Sequence, residues 1–403
     1  MFKRLILVCI VLALSASAQF YPSNSRIASL AETFIIDDIN DVLRYAAYMK
    51  NYEDDLQVTF TSPIIGIKAV GDKLRLGAIG NRGLMLSQQF TQNFYSIAIP
   101  FVNGEIPATP DISIRNQYIP HALLGVDAGI LTLGFDVFFE YARSRYNQKD
   151  SLQETSASAS IHNPGVLASA LFGEDFQIAA KLGLAVPRIS GKAESNNSTV
   201  EVESDKGIFL EFGGEAGIPV GSLKLSMGVD LILEKYAFEA SRETPPAPKV
   251  TATTDEFTDT RTAIYAGVQG DVFTNGLWAA QYTLNLFRHT SEDEDNDAKA
   301  CSSQVVHSFS VGLENGWDNL WIFDKVYARG GMKMDLRTSH YNDEVGRSET
   351  RTKDQTKFDE LMPTLGLGIQ KGVFTLDLNI DLGGWSNLVT GPRVSKVTAG
   401  LFF

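Results

Sequence analysis

The side chains in this chain that could do chemistry are mainly carboxylates, and they recur within apolar stretches. Asp136 and Glu140 lie in a stretch where every second residue is Leu, Phe, Val or Tyr, and Asp230 and Glu234 lie in another of the same kind. This spacing predicts an extended strand with acids on one face and apolar side chains on the other. Acids that surround an enclosed, water-filled space would attract cations.

Motifs for catalysis or metal binding are missing from the sequence. No Gly-x-Ser-x-Gly, His-Glu-x-x-His or phosphate-binding glycine loop is present. The five histidines have no metal-ligand spacing: His121, His162, His289, His307 and His340. We therefore expect no enzymatic activity, no catalytic residues, no cofactor and no bound metal. An outer-membrane hydrolase would require a Ser or Asp to meet one of these histidines at a strand end.

The elements that must position the acids read as strands with an asymmetric arrangement of connections. Short turns, such as Gly129-Ile130 and Lys371-Gly372, alternate with long polar stretches, such as 242–259 and 341–357. Outer-membrane β-barrels have this asymmetry, with short periplasmic turns and long external loops. A soluble sandwich would turn the same apolar faces inward, and periodicity alone does not separate the two. The loop asymmetry, the strand length and both ends of the chain favour the membrane.

Both ends of the chain predict export to the cell outer membrane. Lys3 and Arg4, a short apolar run and a small-residue cleavage site predict a signal peptide over residues 1–18. The last stretch, 393–403, alternates apolar and polar residues and ends on Phe403, as the closing strand of such a barrel does. Phe403 also resembles the signal read by the outer-membrane assembly machinery, which we expect as a partner beside outer-membrane lipid and lipopolysaccharide. The formal net charge of −13 argues against nucleic acid.

The predicted fold is all-β, a transmembrane antiparallel β-barrel over residues 56–403. Counting strands back from Phe403 gives about 14, and pairing of Leu56 to Val70 would raise the count to about 16. Residues 19–55 differ, because Ile36, Ile39 and Val42 have helical spacing. We expect this segment to form one or two short helices, either as a plug in the lumen or as a periplasmic extension.

If the apolar faces contact lipid, the opposite faces line the lumen with eleven acids and five bases, which leaves six carboxylates uncompensated. The candidate lining residues are Asp136, Glu140, Glu211, Glu215, Asp230, Glu234, Asp271, Lys325, Arg329, Lys333, Asp335, Asp377 and Asp381. Glu314, Lys181 and Lys224 complete the set. One interpretation is a cation-preferring passage. The other is a salt-bridged, plugged lumen, with Lys333 and Asp335 paired near Asp377 and Asp381.

The residues "DDINDVLRYAAYM" from Asp37 to Met49, followed by a hairpin and "LGAIGNRG", are similar to the amino-terminal region of FadL-like outer-membrane proteins. At the positions of that family's Asn-Pro-Ala motif, this chain has Tyr45, Ala46 and Ala47, so the Asn and Pro of the motif are replaced. The resemblance implies about 14 strands, an amino-terminal plug and transport. Because an acidic lumen is a poor lining for a fatty acid, we expect a channel or transporter for small polar or amphipathic solutes through a partly plugged, acidic lumen. The alternative is a non-transporting barrel that acts through its external loops as a scaffold, adhesin or secretion accessory.

Overall fold

The computed structural model describes residues 24–52, 54–60, 64–80, 116–118, 120–149, 154–174, 176–195, 198–243, 250–252, 255–293, 298–345, 348–358, 361–382 and 393–402. The predicted signal peptide, residues 1–18, and the terminal Phe403 lie outside these ranges.

Helices are confined to the amino-terminal part of the described chain, and strands form the rest. The helices are α1 (Ser25–Ser29) and two 3-10 helices, Ile39–Leu43 and Ala46–Asn51. The first ten strands are β1 (Asp55–Phe60), β2 (Ile64–Val70), β3 (Leu74–Gly80), β4 (Asn116–Tyr118), β5 (His121–Asp127), β6 (Leu131–Lys149), β7 (Glu154–Phe172), β8 (Gln177–Ala185), β9 (Arg188–Ser195) and β10 (Ser198–Val220). The others are β11 (Leu223–Glu243), β12 (Val250–Ala252), β13 (Asp255–Val272), β14 (Gly276–Asp293), β15 (Ala298–Asp318), β16 (Lys325–Val345), β17 (Ser348–Phe358), β18 (Met362–Lys371), β19 (Phe374–Asp381) and β20 (Arg393–Phe402). Of the described helices, none has the length and apolarity that crossing a membrane requires.

The strands form a closed antiparallel barrel of 16. Neighbours pair in sequence around the ring, and β1 closes it by pairing with β20, with Asp55 opposite Phe402 and Phe60 opposite Val397. Four short strands extend this ring at one end. β4 pairs with β6, and β9 pairs with both β7 and β10. β12 pairs with β11, and β17 pairs with β16. The predicted count of 14 is wrong and the alternative of 16 is right, because the stretch from Leu56 to Val70 supplies two paired strands of the ring, β1 and β2.

The barrel is apolar outside and polar inside. Along β6, Val137 is 58% exposed while its neighbour Asp136 is 3% exposed. Along β11, Met227 is 48% exposed while Asp230 is 2% exposed. Phe138, which interrupts the alternation, faces inward and stacks on His121 with ring centroids 5.1 Å apart. Most large apolar side chains of β6 and β11 therefore face outward, whereas a smaller inward set packs as an apolar core against the amino-terminal segment, namely Ile65, Ile67, Ile79, Leu123 and Leu171.

The two ends of the barrel differ in height. At one end, here called the short-turn end, connections such as 71–73 and 221–222 join neighbouring strands directly. At the other end, several strands continue far beyond the level of the short ones, so that β10 has 23 residues and β1 only six. Stretches predicted as long polar loops are largely strand here, because their Ser, Thr and charged side chains pair across strands, as Thr338 does with Thr356. The long-strand wall rises mainly from β6 to β16.

The amino-terminal segment, residues 24–52, packs against inward-facing residues of the wall. Helix α1 contacts β16, β18, β19 and β20, and the 3-10 helix Ala46–Asn51 contacts β3, β5, β6 and β7 on a different part of the ring. Nearly all of its apolar side chains are buried, including Leu30, Leu43 and Met49. The segment therefore bridges separate parts of the wall.

Candidate functional site

The contact between the amino-terminal segment and the wall is the site where about half of the predicted lining residues converge. Its local geometry begins at Asp38, which caps the 3-10 helix Ile39–Leu43 by accepting a hydrogen bond from the backbone N–H of Asn40. Asp41 returns a bond by accepting from the Asp38 N–H, at 3.1 Å. This capping box satisfies donors that the helix itself leaves open. It fixes the turn that carries Arg44 toward the wall.

Arg44 is the central cation of the contact. Its Nη2 lies 2.9 Å from Oε2 of Glu215 and 3.6 Å from Oδ2 of Asp230, and the side chain is 4% exposed. Asp230 also contacts Lys181, whose Nζ is 2.9 Å from Oδ1 of Asp230 and 2.6 Å from Oε1 of Glu211. Two cations and three carboxylates thus form one buried network. Burial of charges at this depth is tolerated because each charge has an opposite partner.

Aromatic side chains surround this network. Tyr48 and Tyr265 each donate a 2.6 Å hydrogen bond to Glu215, so that this carboxylate has hydrogen bonds from both the segment and the wall. The guanidinium of Arg44 lies over the ring of Tyr265, 4.9 Å from its centroid, and over the ring of Phe34 at 5.1 Å. Cation–π contacts of this kind strengthen where water is excluded. The segment is therefore held by oriented polar bonds as well as by apolar burial.

A second ion-pair cluster anchors α1 to the wall. Arg26 donates two bonds of 3.1 Å to the carboxylate of Glu314 and one of 3.2 Å to Oδ2 of Asp38. Arg329 of β16 bonds the same Glu314 and also Asp377 of β19. A bidentate arginine–carboxylate pair is the strong geometry for such contacts. Glu314 thus joins the segment to the wall.

Two acids of the segment have shifted pKa values of opposite sign. Burial acts against the charged form of Glu32, but the Lys333 ammonium, 2.9 Å away, outweighs it and lowers the pKa of Glu32. Burial, together with repulsion from Glu215 and Asp37, raises the pKa of Asp41 well above its ordinary value. Asp41 lies in a small cleft between the segment and the wall, which Lys224 also lines. The docked segment therefore favours a protonated Asp41.

Two wall glycines allow the backbone of the segment to approach. A Cβ on Gly134 of β6 would lie 2.1 Å from the backbone nitrogen of Ala47. A Cβ on Gly331 of β16 would lie 2.6 Å from the backbone nitrogen of Ala31. No side chain fits at such distances without displacement of the main chain. The wall is therefore shaped to receive this segment at two separate places.

Twelve predicted lining residues whose side chains the structure describes occupy three kinds of position. Glu211, Glu215, Asp230, Arg329, Lys333, Asp335 and Asp377 belong to the networks around the segment or beside it. Asp136, Glu140 and Glu234 are buried on the inner wall with partners of their own, namely His121, Asn163 and Arg261. Asp271 and Lys325 lie exposed near the short turns. The backbone of Asp381 pairs with Arg393, and its side chain lies outside the described set.

The predicted surplus of carboxylates is largely compensated in the described lumen. The missing cations come from the amino-terminal segment, as Arg26 and Arg44, and from the wall, as Arg261. Lys333 pairs with Glu32 as well as with Asp335, whereas Asp377 pairs with Arg329. A lining of bare carboxylates is therefore not what the described residues form.

Sequence reasoning missed Arg44, Arg26 and the two tyrosines that bond Glu215. The sequence did contain a signal for these residues. The predicted inner faces of the wall carry more acids than bases, and the balancing cations had to come from another part of the chain. Arg44 also stands between Leu43 and Tyr45 in an otherwise apolar run. Among the described residues, no group of three or more His, Cys, Asp or Glu has the arrangement to hold a metal ion.

Comparison with known proteins gives remote structural similarity. No family model and no curated protein matches the chain. The translocator domain of the autotransporter NalP from Neisseria meningitidis matches at 14% identity and TM-score 0.25, over 69% of this chain and 90% of that one. The alcaligin outer-membrane receptor FauA from Bordetella pertussis matches at 8% identity and TM-score 0.34, over 86% of this chain and 74% of that one. The ferric-catecholate import receptor Fiu from E. coli K12 matches at 9% identity and TM-score 0.29, over 87% of this chain and 81% of that one. TM-scores this low do not establish a shared fold, so the class of this protein is inferred from its own geometry.

Proposed function

We propose that the chain is an outer-membrane β-barrel that passes small polar or amphipathic solutes, with residues 24–52 as its internal constriction. The membrane part of this proposal rests on polarity. A closed barrel satisfies its backbone hydrogen bonds within the ring, which a bilayer requires. Its exposed apolar and buried charged faces are the reverse of a soluble sheet protein. This polarity, together with the predicted signal peptide, supports localisation in the outer membrane.

The observation that carries the transport part is the polar docking of the segment. Arg44, Arg26 and Glu32 hold it to the wall through ion pairs and hydrogen bonds, with no strand pairing between the segment and the ring. When the segment moves, its ion pairs can be replaced by contacts with water. A segment paired as a strand would instead have to break a continuous row of backbone hydrogen bonds. Charged, hydrogen-bonding walls also suit polar solutes better than fatty acids. The FadL-like resemblance remains a prediction about the fold and does not define the solute.

Conductance across a planar bilayer tests this function. The folded full chain should give a low, intermittent conductance, and variants that weaken docking should open it more often. A barrel that remains silent after docking has been broken, with the undocking itself shown by protease sensitivity of residues 24–52, would remove the transport proposal.

One observation favours the alternative of a non-transporting barrel. The wall from β6 to β16 continues well above the level needed to cross a bilayer, with β10, β11, β15 and β16 at 21 to 23 residues each. About 10 residues suffice for crossing. This raised wall would offer an external partner a large surface. Replacing residues 191–202, the part of the β9–β10 hairpin beyond the Ser190–Glu203 pair, by a short turn should abolish partner binding and leave conductance unchanged if this alternative holds.

A further inference from the structure

The outer wall has a basic patch at the upper edge of its apolar band, made of Arg143, His162 and Arg188 with the hydroxyls of Ser160 and Ser190. The register places these side chains side by side on the outward face. Arg143 is opposite Ser160 and Ser160 is opposite Ser190, while His162 is opposite Arg188. Ser160 and Ser190 share a hydrogen bond of 2.9 Å. The patch therefore spans three neighbouring strands, β6, β7 and β9.

The height of the patch matches the edge of a bilayer. From Leu131 at the short turn to Tyr141 there are ten residues, and Tyr141 lies opposite His162. At a rise of about 3.3 Å per residue and a strand tilt of about 35–45°, this is about 25 Å above the turn. The apolar band of an outer-membrane barrel is about 25 Å tall. The lipid-facing side chains of β6 end at Phe139 and the patch begins directly above them.

Within the part of the chain that the structure describes, no acidic side chain pairs with the two arginines of the patch. Neither Arg143 nor Arg188 has an ion-pair partner among the residues that the structure describes, and Arg188 is exposed. Lys192, one row higher, is different because Glu194 lies 2.7 Å from its Nζ and Glu201 lies 3.8 Å from it. On a chain with a formal net charge of −13, two unpaired guanidiniums on one face are unusual. Both guanidiniums are positioned to pair with an anion from outside the chain.

We propose that this patch binds the phosphorylated sugar headgroup of an outer-leaflet glycolipid. Continuity with the apolar band places the acyl chains of such a lipid against Phe139 and Val137, directly below the patch. A guanidinium fork matches a phosphate group with two parallel hydrogen bonds, and the serine hydroxyls can donate to phosphate or sugar oxygens. The His162 ring, 4.9 Å from that of Tyr141, provides an aromatic surface at the interface. The proposal rests on the membrane location and is independent of transport.

The test is native mass spectrometry of the folded full chain in detergent, titrated with diphosphoryl lipid A. The variants are Arg188→Gln and the double variant Arg143→Gln with Arg188→Gln. The matched control is Lys235→Gln, because Lys235 lies twelve residues above its short turn, as Arg143 does, but is already paired with Glu256 at 2.9 Å. Folding of every variant is checked by heat-dependent mobility in electrophoresis.

Each arginine should contribute about 5-fold to the affinity, so the double variant should bind about 25-fold more weakly while the control is unchanged. Monophosphoryl lipid A should bind more weakly than the diphosphoryl form, and phosphatidylethanolamine should not respond to the variants. Equal affinity of the double variant and the unaltered chain would overturn the proposal. So would displacement of lipid A by millimolar inorganic phosphate, which would mark a free-anion site. If the double variant does not fold, the exposed single variant Arg188→Gln decides alone.

Discussion

Replacement of Arg44 by Gln should weaken the docking of the amino-terminal segment to the wall. Removing one partner of a buried ion pair costs about 3–5 kcal/mol, since the other charge is left without compensation. Glu215 would keep its two tyrosine bonds and Asp230 would keep Lys181, so we expect the lower end, about 3 kcal/mol. That corresponds to about 150-fold in the docking equilibrium. An undocked fraction of about 0.1% would rise above 10%.

Single-channel recording in planar bilayers measures this shift as the fraction of time spent open. Arg44→Gln should raise that fraction strongly, and Glu215→Gln should do so as well. The double variant should open less than the sum of the two free-energy changes predicts, because it leaves neither charge of this pair alone. Limited proteolysis within residues 24–52 should follow the same order.

Lys235→Gln is the control, since its solvent-exposed pair with Glu256 should contribute little to stability and nothing to docking. The reasoning is refuted if Arg44→Gln, folded and inserted, has the open fraction and the protease resistance of Lys235→Gln.

Three further outcomes follow from the geometry. Gly134→Leu should expose the segment to protease, because its first side-chain atom would lie 2.1 Å from the backbone of Ala47. Docking should weaken as the pH rises from about 3.9 through the raised pKa of Asp41, since the docked state holds a proton there that the free state loses. Asp41→Asn should remove that component of the pH dependence of protease resistance, and an unaltered profile would contradict it. Val137→Arg should lower the free energy of unfolding in lipid vesicles by about 2–4 kcal/mol in urea titrations, whereas Val137→Thr should have a much smaller effect.

The sequence predicted the wall of this molecule well, because alternation is a local property. Asp136 between Phe135 and Val137 already indicates which face is polar, and the alternation within residues 393–402 predicts β20 in the same way. The number of strands was harder to predict from the sequence. β1 is six residues long and pairs with β20, from the opposite end of the chain, and no local pattern reveals such a partner.

Only the wall side of the candidate site could be predicted from the sequence. Acids of the wall were identified from their strands, but their partners Arg26 and Arg44 lie on a segment whose path is set by packing. Gly134 and Gly331 illustrate the reason. Each is an ordinary strand glycine in the sequence, and its role depends on a backbone that approaches from more than 80 residues away.

The most direct test of the account is a spin-label scan of residues 131–140 on β6, in a Cys301→Ser background reconstituted in bilayers. Oxygen concentrates in lipid, and a charged nickel reagent stays in water. The account predicts high oxygen accessibility at Leu133, Phe135 and Val137, and low accessibility to both reagents at Asp136 and Glu140. A scan with the opposite phase, or with no alternation, would contradict the inside-out barrel.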